Sequence, residues 1–219
     1  VRLFVPEHGL RGKVDAGKNV RSGVDEKTGL PVVSLYGQRK RPTPEMLADI
    51  DLLVFDLQDV GTRFYTYISS MHYLMEACAE EGKTFVVCDR PNPNDFIDGP
   101  ILEPDCRSFI GVDPLPVAHG MTVGELALMI DGERWLRGGN TCHVKVIPMD
   151  GWSHGDPYEL PVRPSPNLPN SRSIELYPSL CFFEATIMSV GRGTSKPFQA
   201  IGYPDKRFGS IVYTPQIKL

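Results

Sequence analysis

Short apolar runs alternate with longer stretches of helical periodicity along this chain. Runs rich in Val, Leu, Ile and Phe that end at polar, Pro or Gly residues predict buried strands at 1–5, 30–35, 51–57, 84–88, 143–148 and 185–190. Apolar residues at helical spacing predict helices at 66–81, 122–136 and 174–184, and a shorter helix after an N-cap at Thr43. The order strand, helix, strand over 51–88 is a βαβ unit. The predicted fold class is therefore α/β, with a Rossmann-like parallel sheet and flanking helices.

Polar side chains follow three of these strands, where the strands end. The first strand ends at Pro6, which fixes the backbone just before Glu7 and His8. A second polar group, at the end of the strand 51–57, comprises Asp56, Gln58, Asp59 and Arg63. A third, after the strand 84–88, comprises Asp89, Arg90 and Asn92. Because open α/β sheets bind ligands at the carboxyl ends of their strands, we expect these residues to form one active site. The plainer alternative is a set of loop caps, turns and local ion pairs.

An arginine beside aromatic residues suggests the kind of ligand. Arg63 is followed closely by Tyr65 and Tyr67. Aromatic rings stack on the apolar faces of sugars, and a guanidinium binds a carboxylate with two hydrogen bonds. The pattern fits a sugar that carries a carboxylate, although the same tyrosines could form the buried start of the helix and Arg63 could pair with Asp59.

Three later positions are weaker candidates for ligand binding. His119 lies just before a predicted helix, whose Thr122 and Glu125 have the spacing of a capping box. Asn167 lies in a loop that could offer amides to a ligand. Arg192 lies in a Gly-Arg-Gly-Thr string, which could bind an anion through backbone N–H groups and the guanidinium.

Composition excludes several classes of function. The 219 residues, 41% of them hydrophobic, suffice for one domain or one and a half. The net charge of −4, with acids and bases interspersed, argues against a nucleic-acid partner. No apolar stretch approaches the ~20 residues that a membrane span requires. Five cysteines without a CxxC pair or a Cys/His ladder argue against a zinc site, and we expect neither metal nor cofactor.

Six short strings, taken in order, resemble one protein family, the bacterial exo-β-N-acetylmuramidases of the NamZ type. The strings are Pro6-Glu7-His8-Gly9, Ser34-Leu35-Tyr36-Gly37, Asp59-Val60-Gly61-Thr62-Arg63-Phe64-Tyr65-Thr66-Tyr67, Asp89-Arg90-Pro91-Asn92-Pro93, His119-Gly120-Met121-Thr122-Val123-Gly124-Glu125-Leu126 and Gly191-Arg192-Gly193-Thr194. The resemblance covers the chain up to about Pro204. Each string alone is unspecific, whereas the ordered set is highly specific.

The resemblance implies a glycoside hydrolase that removes N-acetylmuramic acid from the non-reducing ends of peptidoglycan fragments, outside the cytoplasm. It also implies a Rossmann-like catalytic domain, here 1–150, and a cleft-lining connection that leads into a smaller C-terminal domain, here 151–219. Family members normally carry a βα unit before the strand at 1–5 and continue beyond residue 219. Their catalytic acid is the glutamate of the Pro-Glu-His-Gly string, which matches Glu7.

Glycoside hydrolases usually place two carboxyl groups across the scissile bond, one of which must stay protonated near neutral pH. We assign Glu7 as the general acid, whose pKa must be raised by burial or by a like-charged neighbour, and His8 to the same catalytic group. We favour Asp59 over Asp56 and Asp89 as its partner. The lactyl carboxylate is expected to bind Arg63 or Arg192 and the sugar face to contact Tyr65 and Tyr67; the other predicted substrate contacts are Gln58, Asp89, Arg90, Asn92, His119 and Asn167.

Two alternatives remain at this stage. The first is a non-catalytic module that binds cell-wall sugars on the same fold, since a fold alone does not imply chemistry. The second is a metal-dependent hydrolase or esterase built on His8, Asp56 and Asp59.

Overall fold

The computed structural model describes residues 1–12 and 14–216. Its strands are β1 (Leu3–Val5), β2 (Gly23–Val24), β3 (Pro31–Ser34), β4 (Leu52–Phe55), β5 (Thr84–Cys88), β6 (Ile97–Asp98), β7 (Ala118–His119) and β8 (His143–Ile147). Its α-helices are α1 (Pro44–Leu47), α2 (Tyr67–Glu80), α3 (Val123–Gly132) and α4 (Ser171–Leu180). Short 3₁₀ turns lie at Pro104–Cys106, Arg137–Gly139, Cys181–Ala185 and Lys206–Phe208.

Parallel strand pairing dominates the sheets. The strands β4, β5 and β8 form one parallel sheet, in which Leu52 pairs with Thr84 and Thr84 with His143. A second sheet pairs β1 with β3 in parallel and carries β2 as an antiparallel edge. A third, very short sheet pairs β6 with β7. The α/β prediction is confirmed, including the unit β4–α2–β5.

The core lies on one face of the sheet β4–β5–β8. Alternate residues of the strands, such as Phe55 and Phe85, are fully buried against Met71 and Met75 of α2 and Leu126 of α3. Their burial follows from the period of two in strands and of 3.6 in helices, which places the apolar residues of each element on a single face. The same packing brings the carboxyl ends of β4 and β5 to one edge.

Local sequence signals set the ends of α2 and α3. The helix α2 matches the predicted range within one residue at each end. At the start of α3, Thr122 and Glu125 form the predicted capping box, each side chain bonding to the other residue's backbone N–H. The helix ends at Gly132 rather than 136, because Arg134 adopts a left-handed conformation with φ of 57°.

The predictions for 174–184 and 185–190 were wrong in detail. The helix α4 begins at Ser171, because Asn170 caps it by accepting from the Ser173 amide while the Ser173 hydroxyl bonds back to the Asn170 amide. The segment predicted as a strand at 185–190 has no strand beside it in the described structure. It makes one isolated bridge, between Ser189 and Gly202.

Candidate active site

Glu7 lies in the turn that follows β1, and two other segments hold its carboxylate. The amide of Gly17 donates to Oε1 at 2.8 Å, and the hydroxyl of Thr66 donates to Oε2 at 2.9 Å. The Tyr67 hydroxyl donates to the backbone carbonyl of Glu7 at 3.2 Å. The loop after β1 and the start of α2 therefore fix the position of this side chain.

The pKa of Glu7 lies below its ordinary value of 4.5. Burial raises the pKa and is the largest single effect, but hydrogen bonds from the Gly17 amide, Thr66 and the neighbouring Tyr36 together outweigh it. Hydrogen bonds to a carboxylate stabilise its charged form. The prediction of a raised pKa was wrong, and Glu7 is ionised at neutral pH in this structure.

His8 directly follows Glu7 in a conformation unusual for a side chain with a Cβ. Its φ is 69°, in the left-handed region, and the residue is buried. Its Nδ1 lies 2.7 Å from the carbonyl oxygen of Val14, which can only accept, so Nδ1 carries a proton. This contact holds the loop that also supplies the Gly17 amide.

Glu7 and His8 line a small pocket with residues from the C-terminal third of the chain. The cavity volume is about 40 Å³, and a water molecule occupies ~30 Å³. The pocket therefore admits one functional group rather than a whole sugar ring. Its other lining residues are Ala16, Phe64, Tyr65, Thr66, Ser165, Leu168, Tyr177, Arg192 and Phe198.

Two of the sequence-predicted binding residues line this pocket, and a third lies beside it. Tyr65 lines it and donates its hydroxyl to the Pro164 carbonyl at 2.7 Å. Arg192 also lines it, but its guanidinium Nη2 lies 2.5 Å from the carboxylate of Glu184. Asn167 lies in the loop between two lining residues, and its amide donates to the Ser165 hydroxyl at 3.2 Å.

Tyr67 has a supporting role, which corrects its predicted contact with the sugar face. Its ring is buried 4.8 Å from the ring of Tyr65, and its hydroxyl bonds to the backbone of Glu7. Burial raises the pKa of Tyr67 to about 12 and that of Tyr65 well above the ordinary value of 10. Both hydroxyls therefore stay protonated and act as donors.

Asp59 does not line the pocket that contains Glu7, which corrects its predicted place as catalytic partner. It is 4% exposed, and its Oδ2 accepts from the Gly61 amide at 2.7 Å and lies 3.0 Å from Nε2 of His119. The Nδ1 of His119 accepts from the Met121 amide at 3.3 Å, so Nε2 carries the proton and donates to Asp59. The pair is buried and joins the loop after β4 to the strand β7.

Asp89 caps a helix instead of facing the pocket. Its two carboxylate oxygens accept from the Thr122 hydroxyl at 2.9 Å and the Gly124 amide at 2.8 Å, at the N-terminus of α3. Acids are favoured at helix N-termini because the free N–H groups and the helix dipole attract negative charge.

Arg90 also lies outside the pocket. It forms an exposed ion pair with Asp56, with Nη2 2.6 Å from Oδ1.

Arg63, Gln58 and Asn92 bind backbone rather than substrate. The buried guanidinium of Arg63 donates to the carbonyls of Pro100, at 2.9 Å, and Leu115, so it is directed neither to the pocket nor to Asp59. The side-chain amide of Gln58 donates to the backbone carbonyls of residues 59 and 91, both at 2.8 Å. Asn92 is buried and accepts from the amide of residue 94.

A second asparagine ties the same loops together. Asn94 is buried, and its side-chain amide donates to the carbonyls of Val60 and Ile174, both at 2.9 Å. One side chain therefore joins the loop after β4, the loop after β5 and the helix α4. The polar residues that follow the strands serve mainly to hold the edge of the sheet in shape.

The comparisons with known proteins match this arrangement to one family. Residues 1–172 match the family described as "Exo-beta-N-acetylmuramidase NamZ, N-terminal", and residues 175–212 match "Exo-beta-N-acetylmuramidase NamZ, C-terminal". The chain belongs to the NamZ family. The predicted resemblance is confirmed.

Relatives of known sequence or structure agree with the family assignment. The chain is 52% identical over 208 residues to "Peptidoglycan beta-N-acetylmuramidase NamZ" of Bacillus subtilis (strain 168), a match that covers 92% of this chain and 49% of that protein. It is 46% and 44% identical to two DUF1343 family proteins of Bacteroides fragilis NCTC 9343, with TM-scores of 0.87 and 0.83. Those matches cover 98% and 92% of this chain, and 57% and 52% of the two crystal structures. The chain spans about half the length of the curated relative.

The sequence analysis did not name Thr66 as a site residue of this NamZ-family chain, although its hydroxyl donates directly to the Glu7 carboxylate. Thr66 occupies the N-cap position of α2, yet its side chain makes no capping hydrogen bond there. The sequence signal that could have found Thr66 is a threonine at a predicted helix start. When such a hydroxyl does not cap the helix, it is free to bond to another acceptor. Ser165 and Tyr177 carried no comparable signal, because a loop and the helix α4, both distant in sequence from Glu7, bring them to this pocket.

The metal-dependent alternative lacks a ligand cluster. In the residues that the structure describes, no group of three or more His, Cys, Asp and Glu side chains could hold a metal ion. His8, Asp56 and Asp59 each bond to different partners and do not converge on one point.

In the part of the chain that the structure describes, no helix combines the length and apolar character needed to cross a membrane.

Proposed function

We propose that this chain is part of a glycoside hydrolase that releases N-acetylmuramic acid from the non-reducing ends of peptidoglycan fragments, with Glu7 as its catalytic carboxyl group. The observation that carries the proposal is the 52% identity to the B. subtilis peptidoglycan β-N-acetylmuramidase over 92% of the chain. The location of Glu7 in a pocket, held by three neighbouring segments, supports its role. We also propose an extracytoplasmic location, where peptidoglycan lies.

The proposed role of Glu7 is that of general acid, which requires a proton in the substrate complex. In the free protein its pKa is low because three donors stabilise the carboxylate, while burial already acts in the opposite direction. A sugar that covers the pocket excludes water and strengthens the effect of burial. Protonated Glu7 then donates to the glycosidic oxygen as the bond to the leaving sugar breaks.

The first experiment is Glu7→Gln in the full-length protein, with a chromogenic β-N-acetylmuraminide as substrate. The amide keeps the shape of the side chain, and the Thr66 hydroxyl can accept from it, so we expect the fold to be kept, with a lower melting temperature because the hydrogen-bonded charge is lost. Loss of the acid should lower turnover by roughly 10²–10⁴-fold. The exposed Glu26→Gln is the matched control, and a Glu7→Gln protein with turnover within a few-fold of wild type would overturn the assignment.

The pH dependence separates the general acid from an ionised catalyst. The profile of kcat/KM reports the free protein, and that of kcat reports the substrate complex. For a general acid, kcat/KM falls as pH rises through the low pKa of free Glu7, and kcat falls at a higher pH. A kcat/KM that instead rises through that pKa to a plateau would show that Glu7 acts as a carboxylate, either as base or as nucleophile.

The ionised state of Glu7 favours one second candidate, a non-catalytic module that binds cell-wall sugars. A binding site needs no transferable proton, and a carboxylate fixed by three donors is a good acceptor for sugar hydroxyls. Saturable binding of muramyl saccharides by the full-length protein, with no release of N-acetylmuramic acid, would support this candidate and exclude the hydrolase.

A further inference from the structure

A second and larger cavity lies next to the Glu7 region. Its volume is about 450 Å³, within the ~300–1,000 Å³ typical of pockets for small organic ligands. Four cationic side chains line it, namely Lys40, Arg41, Arg107 and Arg137, together with one carboxylate, Glu76. We call this cavity the basic pocket. None of these residues figured in the sequence analysis.

Among the residues that the structure describes, three of the four cations have no acidic partner. Arg41 is neutralised, because its guanidinium lies 3.7 Å from the carboxylate of Glu76 and also pairs with Glu80. Within residues 1–12 and 14–216, no carboxylate lies at ion-pair distance from Lys40, Arg107 or Arg137. Clustered cations in a concave site attract anions, since low-dielectric walls focus their field.

Lys40 connects the basic pocket to Glu7. Its ammonium group lies 3.5 Å from the ring centroid of Tyr36 and 4.1 Å from that of Phe109. The hydroxyl end of the same Tyr36 lies beside the Glu7 carboxylate, whose charge acts on both Tyr36 and Lys40. Lys40 therefore lines the basic pocket and packs on the ring whose hydroxyl end lies next to Glu7.

Aromatic rings form the apolar wall of the basic pocket. The rings of Tyr73 and Phe109 are stacked, with centroids 6.1 Å apart and planes within 2° of parallel. The Tyr36 ring lies 6.1 Å from Phe109. A ligand with an anionic end and an apolar body matches this combination of cations and half-buried aromatic rings better than a bare inorganic anion does.

We propose that the basic pocket binds the lactyl carboxylate of the muramyl residue that is cleaved beside Glu7, with Lys40 as the contact nearest to Glu7. The proposal rests on the proposed function. Muramic acid differs from glucosamine by this lactyl ether, which sits on the same ring as the carbon that must approach Glu7. A carboxylate on this ring requires a cation that no acidic side chain already neutralises, and Lys40 is the cation of the basic pocket that packs on Tyr36, next to Glu7. Arg63 donates to the carbonyls of Pro100 and Leu115 and Arg192 pairs with Glu184, and neither lines the basic pocket.

The test measures binding rather than turnover, with N-acetylmuramic acid and N-acetylglucosamine as the two probes, in the full-length protein. We expect wild type to prefer N-acetylmuramic acid. Lys40→Met keeps most of the unbranched apolar stem and removes the charge, so it should weaken binding of N-acetylmuramic acid by about 10- to 100-fold, typical of a lost charged hydrogen bond. Binding of N-acetylglucosamine should not change. Lys40→Arg should restore most of the preference, which should also weaken at high salt.

Controls keep the outcomes distinct. Arg172→Met removes an exposed cation that pairs with Glu175 on α4, and it should leave both affinities unchanged. If Lys40→Met fails to fold, Arg137→Met replaces it, because the contact of Arg137 with Glu76 uses the backbone amide and survives the substitution. An unchanged preference in every folded variant, or an equal loss for both probes, would overturn the proposal.

The same design separates the two proposals. Release of N-acetylmuramic acid with an unchanged preference in the variants would reject the basic pocket as the subsite and leave the hydrolase standing. A preference that depends on Lys40, without any hydrolysis, would reject the hydrolase and support the subsite. Inorganic phosphate that displaces N-acetylmuramic acid completely at equal concentration would identify a general anion site and overturn the lactyl assignment.

Discussion

Gly61 occupies the tightest backbone position in the loop after β4, and we predict that Gly61→Ala destabilises the fold strongly. Its φ is +71°, and a Cβ at this position would overlap the side-chain oxygen of Asn92 and lie 2.7 Å from the side-chain nitrogen. That oxygen accepts from the amide of Asn94, and the side-chain nitrogen of Asn92 donates to the carbonyl of Met121. Because Asn92 is buried, it has no room to move away without breaking these bonds.

The expected loss of stability has two parts. Placing alanine in the left-handed region costs about 1–2 kcal/mol. Displacing Asn92 removes two buried hydrogen bonds, each worth about 0.5–1.5 kcal/mol. Together they lower the free energy of unfolding by about 2–5 kcal/mol, and at ~2–4 °C per kcal/mol for a domain of this size the melting temperature falls by roughly 4–20 °C.

Gly82→Ala is the matched control. Gly82 follows α2 with a φ of +60°, and no atom lies within 4 Å of the point that an alanine Cβ would occupy, so only the backbone part applies. Denaturant unfolding of wild type and both variants gives the comparison, and we expect Gly61→Ala to lose about 1–3 kcal/mol more than Gly82→Ala. Equal losses in the two variants would refute the argument from Asn92.

Two further predictions concern other polar contacts. The pKa of His154 is raised from 6.5 by hydrogen bonds to the carboxylates on either side of it, so its stabilising effect is complete below pH 6.5 and is lost as pH rises through the folded-state pKa. The advantage in melting temperature of wild type over His154→Gln should therefore shrink between pH 6 and pH 9, and a constant difference would contradict this. Asn94→Ala removes the side-chain amide that donates to two buried carbonyls and should lower the free energy of unfolding by about 2–6 kcal/mol, at roughly 1–3 for each group. Denaturant unfolding should show almost no change for the exposed Asn140→Ala, and an equally small change for Asn94→Ala would contradict the prediction.

Local patterns predicted the elements that depend on short-range chemistry. The start of α3 followed from the capping spacing of Thr122 and Glu125, and α2 followed from its apolar period and Gly82. The start of α4 was missed because its cap combines Asn170 with Ser173, a less familiar pair than threonine with glutamate. The strand predicted at 185–190 had suitable residues, but strands exist only when another strand lies alongside them.

The candidate site was harder to predict for a different reason. Polar residues after strands bind ligands in some proteins and hold loops in others, and the sequence does not reveal their partners. Asp89 meets Thr122 33 residues later, and Arg63 meets Leu115 52 residues later. Glu7 follows a strand, as its position after an apolar run predicts, but its pKa depends on the amide of Gly17 and the hydroxyl of Thr66, which only the folded chain brings together.

The cross-ties made by Asn94 have a consequence for how the protein opens. The three segments cannot separate one at a time, because this one side chain of the loop after β5 bonds both to the loop after β4 and to α4. In hydrogen exchange, the amide of Asn94 should therefore exchange only through the largest opening of the molecule, although it lies outside any helix or strand. The largely exposed segment 151–163 should exchange quickly and be the first to be cut by a protease. Lack of regular secondary structure thus does not identify the parts of this chain that move.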